Sequence, residues 1–98
     1  MSEAEYRLSP AARHDLEAIF DYTAAEWGVA QAFRYIDQIE AACIAATQAP
    51  LAAVACDHIR PGYRRRTVQR HVLYFRPEPW GAAIIRILHD RMDVERQF

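Results

Sequence analysis

Arginine dominates the candidate chemistry of this 98-residue sequence. All twelve Lys and Arg residues are Arg, and nine of them lie in residues 58–98 beside four acidic groups. Residues 1–57 hold three Arg and nine acidic groups. Because a guanidinium is a rigid fork that pairs with carboxylates and phosphates, the second half of the chain is predicted to bind something anionic. A genome rich in Arg codons, or strand faces that simply carry solvated charge, would give the same distribution.

The run Arg64–Arg66 is the centre of this predicted surface. In a strand, Arg64 and Arg66 would share one face and Arg65 would lie on the other. The run could clamp an acidic peptide or a phosphate backbone, or it could protect an edge strand from pairing with another sheet. We favour the contact role, because other arginines and an exposed tryptophan at a hairpin tip could extend it. The predicted partner-binding residues are Arg60, Arg64, Arg65, Arg66, Arg70, Arg76, Trp80, Arg86, Arg91 and Arg96.

Two histidines could support acid–base catalysis. His71 and His89 are predicted near the ends of adjacent strands, where a general acid and a general base could face each other. RNA cleavage needs a base for the 2′-hydroxyl, an acid for the leaving oxygen and a cation at the phosphate. His71, His89 and Arg86 could supply these groups. Two structural histidines at strand ends are the simpler interpretation, so we predict no catalytic residue.

Sequence signals for metals and cofactors are weak. Cys56, Asp57 and His58 are adjacent in the sequence, which is poor geometry for joint ligation of one ion. The sequence has no CxxC or HxxxH spacing, no glycine-rich phosphate loop and no GxSxG. We therefore predict neither a metal nor a cofactor.

The elements that position these residues centre on a hairpin. Two apolar runs, His71–Arg76 and Ala82–His89, flank a turn at Pro77–Gly81. This pattern predicts two antiparallel strands. Large residues follow one another in both runs without alternation, which predicts strands in mid-sheet that are covered on both faces.

Residues before the hairpin predict one strand and two helices. Ala4–Leu8 alternates as a strand, and Ser9 before Pro10 is a typical helix start. Apolar residues at steps of three and four predict a helix that ends at Gly28 and a second helix that ends at Gln48. Their predicted core-facing positions are Ala12, Leu16, Ile19, Phe20, Thr23 and Trp27 in the first helix and Phe33, Ile36 and Ile39 in the second. The aromatic residues Trp27, Phe33, Tyr35, Tyr74 and Phe75 are interpreted as packing residues.

The remaining segments complete an α+β fold. Residues 49–62 form a long connection, residues 63–68 a further strand, and Val94–Phe98 a single helical turn. The predicted order is strand–helix–helix–strand–strand–strand, with a helical hairpin packed on one face of an antiparallel-rich sheet. Length predicts one domain, residues 1–98.

Composition places this domain in a broad class. A hydrophobic content of 52% with 11% aromatics predicts a folded globule. Its apolar runs are too short to cross a bilayer, and the N-terminus does not resemble a secretory signal. We therefore expect a cytoplasmic protein in which Cys43 and Cys56 are reduced.

Successive segments of the chain resemble ParE-type toxins of the ParE/RelE superfamily. In the first half the similar segments are Tyr6–Ala12, Asp15–Leu16, Ile19–Tyr22 and Trp27–Gly28. In the second half they are Ile59–Arg65, His71–Arg76 and Ile87–Asp93. No single segment is specific, but their succession covers nearly the whole chain in the order of the family.

The resemblance implies a fold and a function. Members share the RelE/ParE-like strand–two-helix–three-strand fold and are toxins of type II toxin–antitoxin systems. A ParD-like antitoxin neutralises a ParE toxin by direct binding, in a complex expected to be hetero-oligomeric and to contact operator DNA only through the antitoxin. ParE toxins inhibit DNA gyrase, whereas RelE relatives are ribosome-dependent mRNA endonucleases.

Departures from the superfamily patterns favour one branch. The RelE branch generally relies on basic side chains that often include Lys, with a Tyr or His near the C-terminus. This chain has no Lys and ends Val94–Phe98 without a Tyr. We therefore interpret it as a gyrase inhibitor without enzymatic activity, with the mRNA endonuclease as the alternative and an inert antitoxin-binding module as a third possibility. Gln69 stands where ParE-like chains often have Gly, which leaves the type of that turn open.

Overall fold

A computed structural model describes residues 5–98 and confirms the α+β fold. Its elements are strand β1 (Glu5–Leu8), helices α1 (Pro10–Trp27) and α2 (Val29–Gln48), strands β2 (Val54–Ala55), β3 (Arg64–Val68), β4 (His71–Glu78) and β5 (Gly81–His89), and helix α3 (Val94–Gln97). The strands form one sheet in the order β1-β5-β4-β3-β2. Strand β1 is parallel to β5, and the other neighbours are antiparallel. Ala4, the first residue of the predicted first strand, lies outside the described residues.

The helix boundaries follow the local signals in the sequence. The Ser9 hydroxyl accepts the Ala12 N–H at 2.9 Å and donates to the Ile85 carbonyl at 2.7 Å, so it caps α1 and also ties it to β5. Pro10 is the first helical residue. Gly28, with φ +92°, ends α1 and leads directly into α2. The predicted helical hairpin is confirmed.

The central strands are buried on both faces, as predicted. On one face, Leu73 and Phe75 of β4 pack in a cluster with Ile39 and Cys43 of α2. The opposite face buries a second cluster, covered by the connection before β3 and by the C-terminal residues. Its buried members are Cys56, Val72, Tyr74 and Leu88, with Ile59, Tyr63, Val94 and Phe98 packed against them.

Two connections differ from the prediction. Strand β4 continues through Pro77 and Glu78, so the hairpin turn is only Pro79–Trp80. Proline is tolerated there because β3 pairs with β4 only as far as Phe75, which leaves Pro77 beside one neighbouring strand. The predicted connection 49–62 contains a 3₁₀ turn and strand β2, both too short to give a periodic pattern.

Two predicted packing residues are exposed. Trp27 is 73% exposed and Phe33 is 57% exposed, whereas Ile39 is 1% exposed. Apolar residues recur at helical spacing as far as the hairpin end of α1 and α2. At that end they keep the spacing but are not buried. The prediction that Trp27 and Phe33 face the core is therefore wrong.

Candidate partner-binding surface

Strand pairing fixes where each residue of the Arg64–Arg66 run lies. Arg64 pairs with Phe75, Arg65 with Tyr74, and Arg66 with Leu73. Arg64 and Arg66 therefore lie on the sheet face that packs against the helices, and Arg65 lies on the opposite face. The alternation predicted for this run is confirmed.

Two of the predicted arginines bind backbone carbonyls of the chain itself. Arg64 Nη1 donates to the Ala53 carbonyl at 2.9 Å, and Arg60 Nη1 donates to the Ile59 carbonyl at 2.8 Å. The Arg64 bond joins β3 to the residue before β2. Part of the predicted cluster thus stabilises the long connection.

Two other arginines form ion pairs on the surface. Arg76 pairs with Glu78 on the same strand, and Arg96 lies 3.5 Å from Asp93. Exposed pairs of this kind contribute little free energy, because water screens both charges. These ion pairs leave both arginines accessible, but the neighbouring carboxylates offset their positive charge.

Arg86 is held inside the molecule. Its Nε and Nη2 donate to the two carboxylate oxygens of Asp15 at 2.7 and 2.9 Å, and its Nη1 donates to the Gln97 carbonyl at 3.2 Å. Hydrogen bonding to Asp15 raises the pKa of Arg86, and burial opposes that rise. Its side chain is only 21% exposed. Arg86 therefore links α1, β5 and the C-terminal residues.

Four of the predicted arginines form neither an ion pair nor a guanidinium hydrogen bond within residues 5–98: Arg65, Arg66, Arg70 and Arg91. Arg66 and Arg70 lie on β3 and on the turn that follows it. The Arg70 carbonyl accepts the Asp90 N–H at 2.8 Å, which brings Arg91 to the same end of the sheet. Arg66, Arg70 and Arg91 are hereafter called the open arginine surface. Arg65 lies on the other face, in a cleft that Asp93 and Glu95 also line.

Trp80 lies apart from the open arginine surface. It belongs to the turn between β4 and β5, whereas Arg70 precedes the opposite end of β4. The Arg7 guanidinium stacks on the indole, 4.3 Å from the ring centroid, so Trp80 is partly covered. The prediction of an exposed tryptophan is corrected to a partly covered one, because the Arg7 side chain across the sheet edge could not be placed from the sequence.

The two histidines meet as predicted. His71 pairs with His89 across β4 and β5, with ring centroids 5.3 Å apart. His71 Nδ1 lies 2.5 Å from the Tyr35 hydroxyl oxygen. Burial lowers the pKa of His71, and the nearby charge of His89 lowers it further. The Arg86 side chain lies on the opposite face of β5 from His89, where it is bound to Asp15. The predicted third member of a catalytic set is therefore directed elsewhere.

The cysteines are buried in separate clusters. Cys43 lies on the helix side of the sheet and Cys56 on the opposite side. Burial raises the pKa of the Cys43 thiol to about 12 and also raises the pKa of Cys56. Both thiols are therefore protonated and poorly nucleophilic near neutral pH.

Metal-ligand clusters and membrane-spanning helices are both absent from the described residues. Within residues 5–98, no group of three or more His, Cys, Asp or Glu side chains is arranged to hold a metal ion. No helix in the same range is long and apolar enough to cross a bilayer.

Comparison with known proteins decides the family. Residues 6–94 match the family model described as ParE toxin of type II toxin-antitoxin system, parDE. The chain belongs to this family of ParE toxins. It is 44% identical to toxin ParE1 of Mycobacterium tuberculosis over 94 residues, which cover 95% of this chain and 96% of that protein. It is also 36% identical to toxin ParE of Escherichia coli, with 91% of this chain and 87% of that protein covered.

A solved structure supports the fold of this ParE toxin. It is the chromosomal ParDE toxin–antitoxin system from P. aeruginosa, one chain of which matches with a TM-score of 0.74 and 22% sequence identity. The match covers 88% of this chain and 95% of that chain. The RelE/ParE-like fold implied by the sequence resemblance is confirmed, and the protein is a toxin of a type II toxin–antitoxin system.

Sequence reasoning missed two features of the surface. The role of Asp15 as the partner of Arg86 was not predicted, since nothing in the sequence links positions 15 and 86. The exposed aromatics at the hairpin end were assigned to the core. Their one signal was the position of Trp27 beside Gly28, at a turn between helices rather than in a helix interior.

Proposed function

We propose that this ParE toxin inhibits DNA gyrase by direct binding, without enzymatic activity, and is neutralised by a ParD-like antitoxin. The family match over residues 6–94 carries this proposal, because it spans nearly the whole chain. The proposal treats residues 1–98 as one domain that acts in the cytoplasm and meets operator DNA only through its antitoxin.

The open arginine surface supports a protein-binding mode of action. Arg66, Arg70 and Arg91 have no carboxylate partner in residues 5–98, so they can pair with an anionic segment of another molecule without first breaking an internal pair. Unpaired charges of one sign also steer an oppositely charged partner toward the surface.

An mRNA endonuclease remains the second candidate, because His71 and His89 face each other. The cation predicted to complete such a site, Arg86, is bound to Asp15 on the other side of β5. Phosphoryl-transfer chemistry gains most from a positive charge fixed where negative charge develops. Because Arg86 is held away from the two histidines, we favour the gyrase inhibitor over the endonuclease.

The two functions are separated by assaying the purified toxin in parallel against gyrase supercoiling of relaxed plasmid and against cell-free translation. We expect loss of supercoiling with translation intact, and recovery of supercoiling when the protein encoded by the adjacent reading frame is added.

His89→Gln is the discriminating variant: it should keep full gyrase inhibition but would abolish mRNA cleavage by a histidine-dependent nuclease. Blocked translation with normal supercoiling would replace the proposal by the endonuclease, and no effect in either assay would favour the inert module.

A further inference from the structure

The His89 imidazole has a hydrogen-bond donor and an acceptor at the same ring nitrogen. Its Nδ1 accepts the Arg91 backbone N–H at 3.1 Å, and Asp90 Oδ1 lies 3.2 Å from the same atom. Because an Nδ1 that accepts a hydrogen bond carries no proton, the neutral ring holds its proton on Nε2. The Nδ1 lone pair and the Asp90 carboxylate therefore oppose each other until a proton is added between them.

Protonation of His89 exchanges one of these contacts for the other. An imidazolium carries an N–H on both nitrogens, so Nδ1 can donate to Asp90 and can no longer accept from Arg91. The bond between an imidazolium and a carboxylate is the stronger of the two, because both partners are charged. Arg91 is exposed, so water can replace the lost partner of its amide. The exchange therefore leaves no buried group without a partner.

The same turn borders the open arginine surface. Arg91 is a member of that surface, and the Asp90 N–H donates to the carbonyl of Arg70, a second member, at 2.8 Å. While His89 is neutral, the Asp90 carboxylate places a negative charge beside these two arginine residues and repels an anionic partner. A proton on His89 offsets that charge. The open arginine surface should then bind anions more strongly.

The partners of His71 favour protonation of His89 instead of His71. Burial and the charge of His89 lower the pKa of His71. On α2, the Tyr35 hydroxyl lies 2.5 Å from His71 Nδ1, and burial raises the pKa of Tyr35, so the hydroxyl stays neutral and supplies no charge to stabilise a cation. The His89 side chain is 34% exposed and lies beside Asp90. The pair therefore takes up its proton at His89.

The remaining charged groups around the pair do not reverse this preference. Asp90 and, on α1, Asp15 raise the pKa of His71, but less than burial and His89 lower it. Asp15 is already bound by Arg86. The cations Arg70 and Arg91, on the turns before β4 and after β5, oppose protonation of either ring. Asp90 is the carboxylate in contact with His89, so it decides which nitrogen contact forms.

We propose that His89 is a proton switch that strengthens anion binding at the open arginine surface when the pH falls below neutral. On protonation, Nδ1 releases the Arg91 N–H and donates to Asp90. The inference rests on the proposed function, which makes the open arginine surface a contact with a partner. It adds that this contact tightens between about pH 7.5 and about pH 5.5, where histidine side chains gain charge.

Nitrogen-15 NMR of the isolated toxin tests the exchange of contacts. At about pH 7.5 the His89 ring should carry its proton on Nε2 alone, with the Arg91 amide protected from hydrogen exchange. At about pH 5.5 both ring nitrogens should be protonated, and Arg91 protection, corrected for the pH dependence of intrinsic exchange, should fall about 3-fold or more. A proton on Nδ1 at the higher pH, or equal Arg91 protection at both, would overturn the inference.

Binding of dextran sulfate tests the effect on the surface, because sulfate groups keep their charge over this pH range. Wild-type affinity at low ionic strength should rise about 3-fold or more from about pH 7.5 to about pH 5.5. His89→Gln should reduce that gain to less than about 1.5-fold and leave the affinity at the higher pH unchanged. His14→Gln is the matched control, since it removes an exposed histidine on α1, and it should keep the full gain.

Two further variants locate the effect. Asp90→Asn should bind dextran sulfate about 2-fold more tightly than wild type at about pH 7.5, because it removes the repelling carboxylate, and should gain less on acidification. Arg66→Glu with Arg70→Glu should lose most of the affinity at both pH values. Unchanged binding by this double variant would overturn the link to the open arginine surface. Circular dichroism and urea unfolding establish that each variant is folded.

The other outcomes are separable. An equal gain in wild type and His89→Gln would overturn the inference, and so would loss of the gain in His14→Gln, since total charge would then govern binding. A toxin that shows the exchange of contacts and the gain in dextran sulfate binding, but leaves gyrase active, would support the switch and overturn the proposed function instead.

Discussion

At the scale of single residues, the Asp15 carboxylate accepts three hydrogen bonds from strand β5. Besides the two bonds from Arg86, one of its oxygens accepts the backbone N–H of Ile87 at 2.9 Å. Strand β1 pairs with β5 only as far as Ile84, so Asp15 satisfies a strand N–H that no neighbouring strand reaches. The ion pair therefore completes the edge of the sheet and fastens α1 to it.

Replacing Asp15 by Asn should lower the free energy of unfolding by about 2–4 kcal/mol. The neutral amide can no longer balance the mostly buried Arg86, and it cannot reproduce the bidentate pair. Urea unfolding gives the measurement. Asp21→Asn, at an exposed position on the same helix, should change stability by no more than about 0.5 kcal/mol. Equal stability of the Asp15 and Asp21 variants would contradict the role assigned to this pair.

At the scale of elements, Gly81 controls how β1 joins the sheet. Gly81 pairs with Glu5 at a φ of +149°, and a Cβ built on it would lie 1.7 Å from the Glu5 carbonyl oxygen. Because that oxygen belongs to the backbone, no side-chain rotation can relieve the overlap. Only a residue without a Cβ allows β1 to approach β5 this closely.

Gly81→Ala should therefore cost more than another glycine substitution at positive φ. We expect a loss of about 3–5 kcal/mol, which combines backbone strain with displacement of β1. At Gly62, where φ is +83° and no atom lies within 4 Å of a built Cβ, alanine should cost only about 1–2 kcal/mol of strain. Urea unfolding compares the two, and hydrogen exchange of the β1 amides reports the displacement. Equal losses, or β1 amides that remain protected in Gly81→Ala, would show that the sheet edge absorbs a Cβ.

Local signals explain which elements could be predicted from the sequence. Ser9, Pro10 and Gly28 act within one helical turn of their own positions, so the helix boundaries were found from the sequence. Strand β2 has only two residues, and their partners on β3 lie eleven and nine positions further along the chain, so no pattern marks it. Periodicity identified the face of α1 that carries Trp27, but burial depends on what lies opposite that face.

The candidate site was predictable only in part for a related reason. Residue type and count pointed to an arginine-bearing sheet, and the alternation of Arg64–Arg66 followed from the period of a strand. Whether a guanidinium is free or paired depends on contacts between distant segments. Arg86 meets Asp15 across 71 positions of sequence, and Arg64 meets the Ala53 carbonyl across eleven. Those contacts removed residues from the predicted surface.

At the scale of the whole molecule, the charge asymmetry of the sequence becomes an asymmetry of surfaces. The helical hairpin carries exposed carboxylates around an apolar patch, and the far end of the sheet carries the open arginine surface. A net charge of −1 conceals this separation. A partner that meets both surfaces must present opposite charges in a fixed order, which gives the toxin a basis for selecting its antitoxin.

Charge reversal at the two ends of the sheet tests whether position or total charge matters. Arg66→Glu with Arg70→Glu should slow association with the antitoxin, or with gyrase, by about 10-fold or more at low salt, because both charges face the partner without internal neutralisation. Arg7→Glu with Arg76→Glu makes the same change in net charge near Trp80, at the opposite end of β4, where each arginine already pairs with a glutamate. That control should slow association less than about 3-fold, and the difference between the double variants should diminish at high salt.

Stopped-flow or surface-binding kinetics at two ionic strengths provide the rates. If both double variants slow association equally, net charge governs the encounter and the open arginine surface has no special part in it; if only the control is impaired, the contact lies around Trp80 instead.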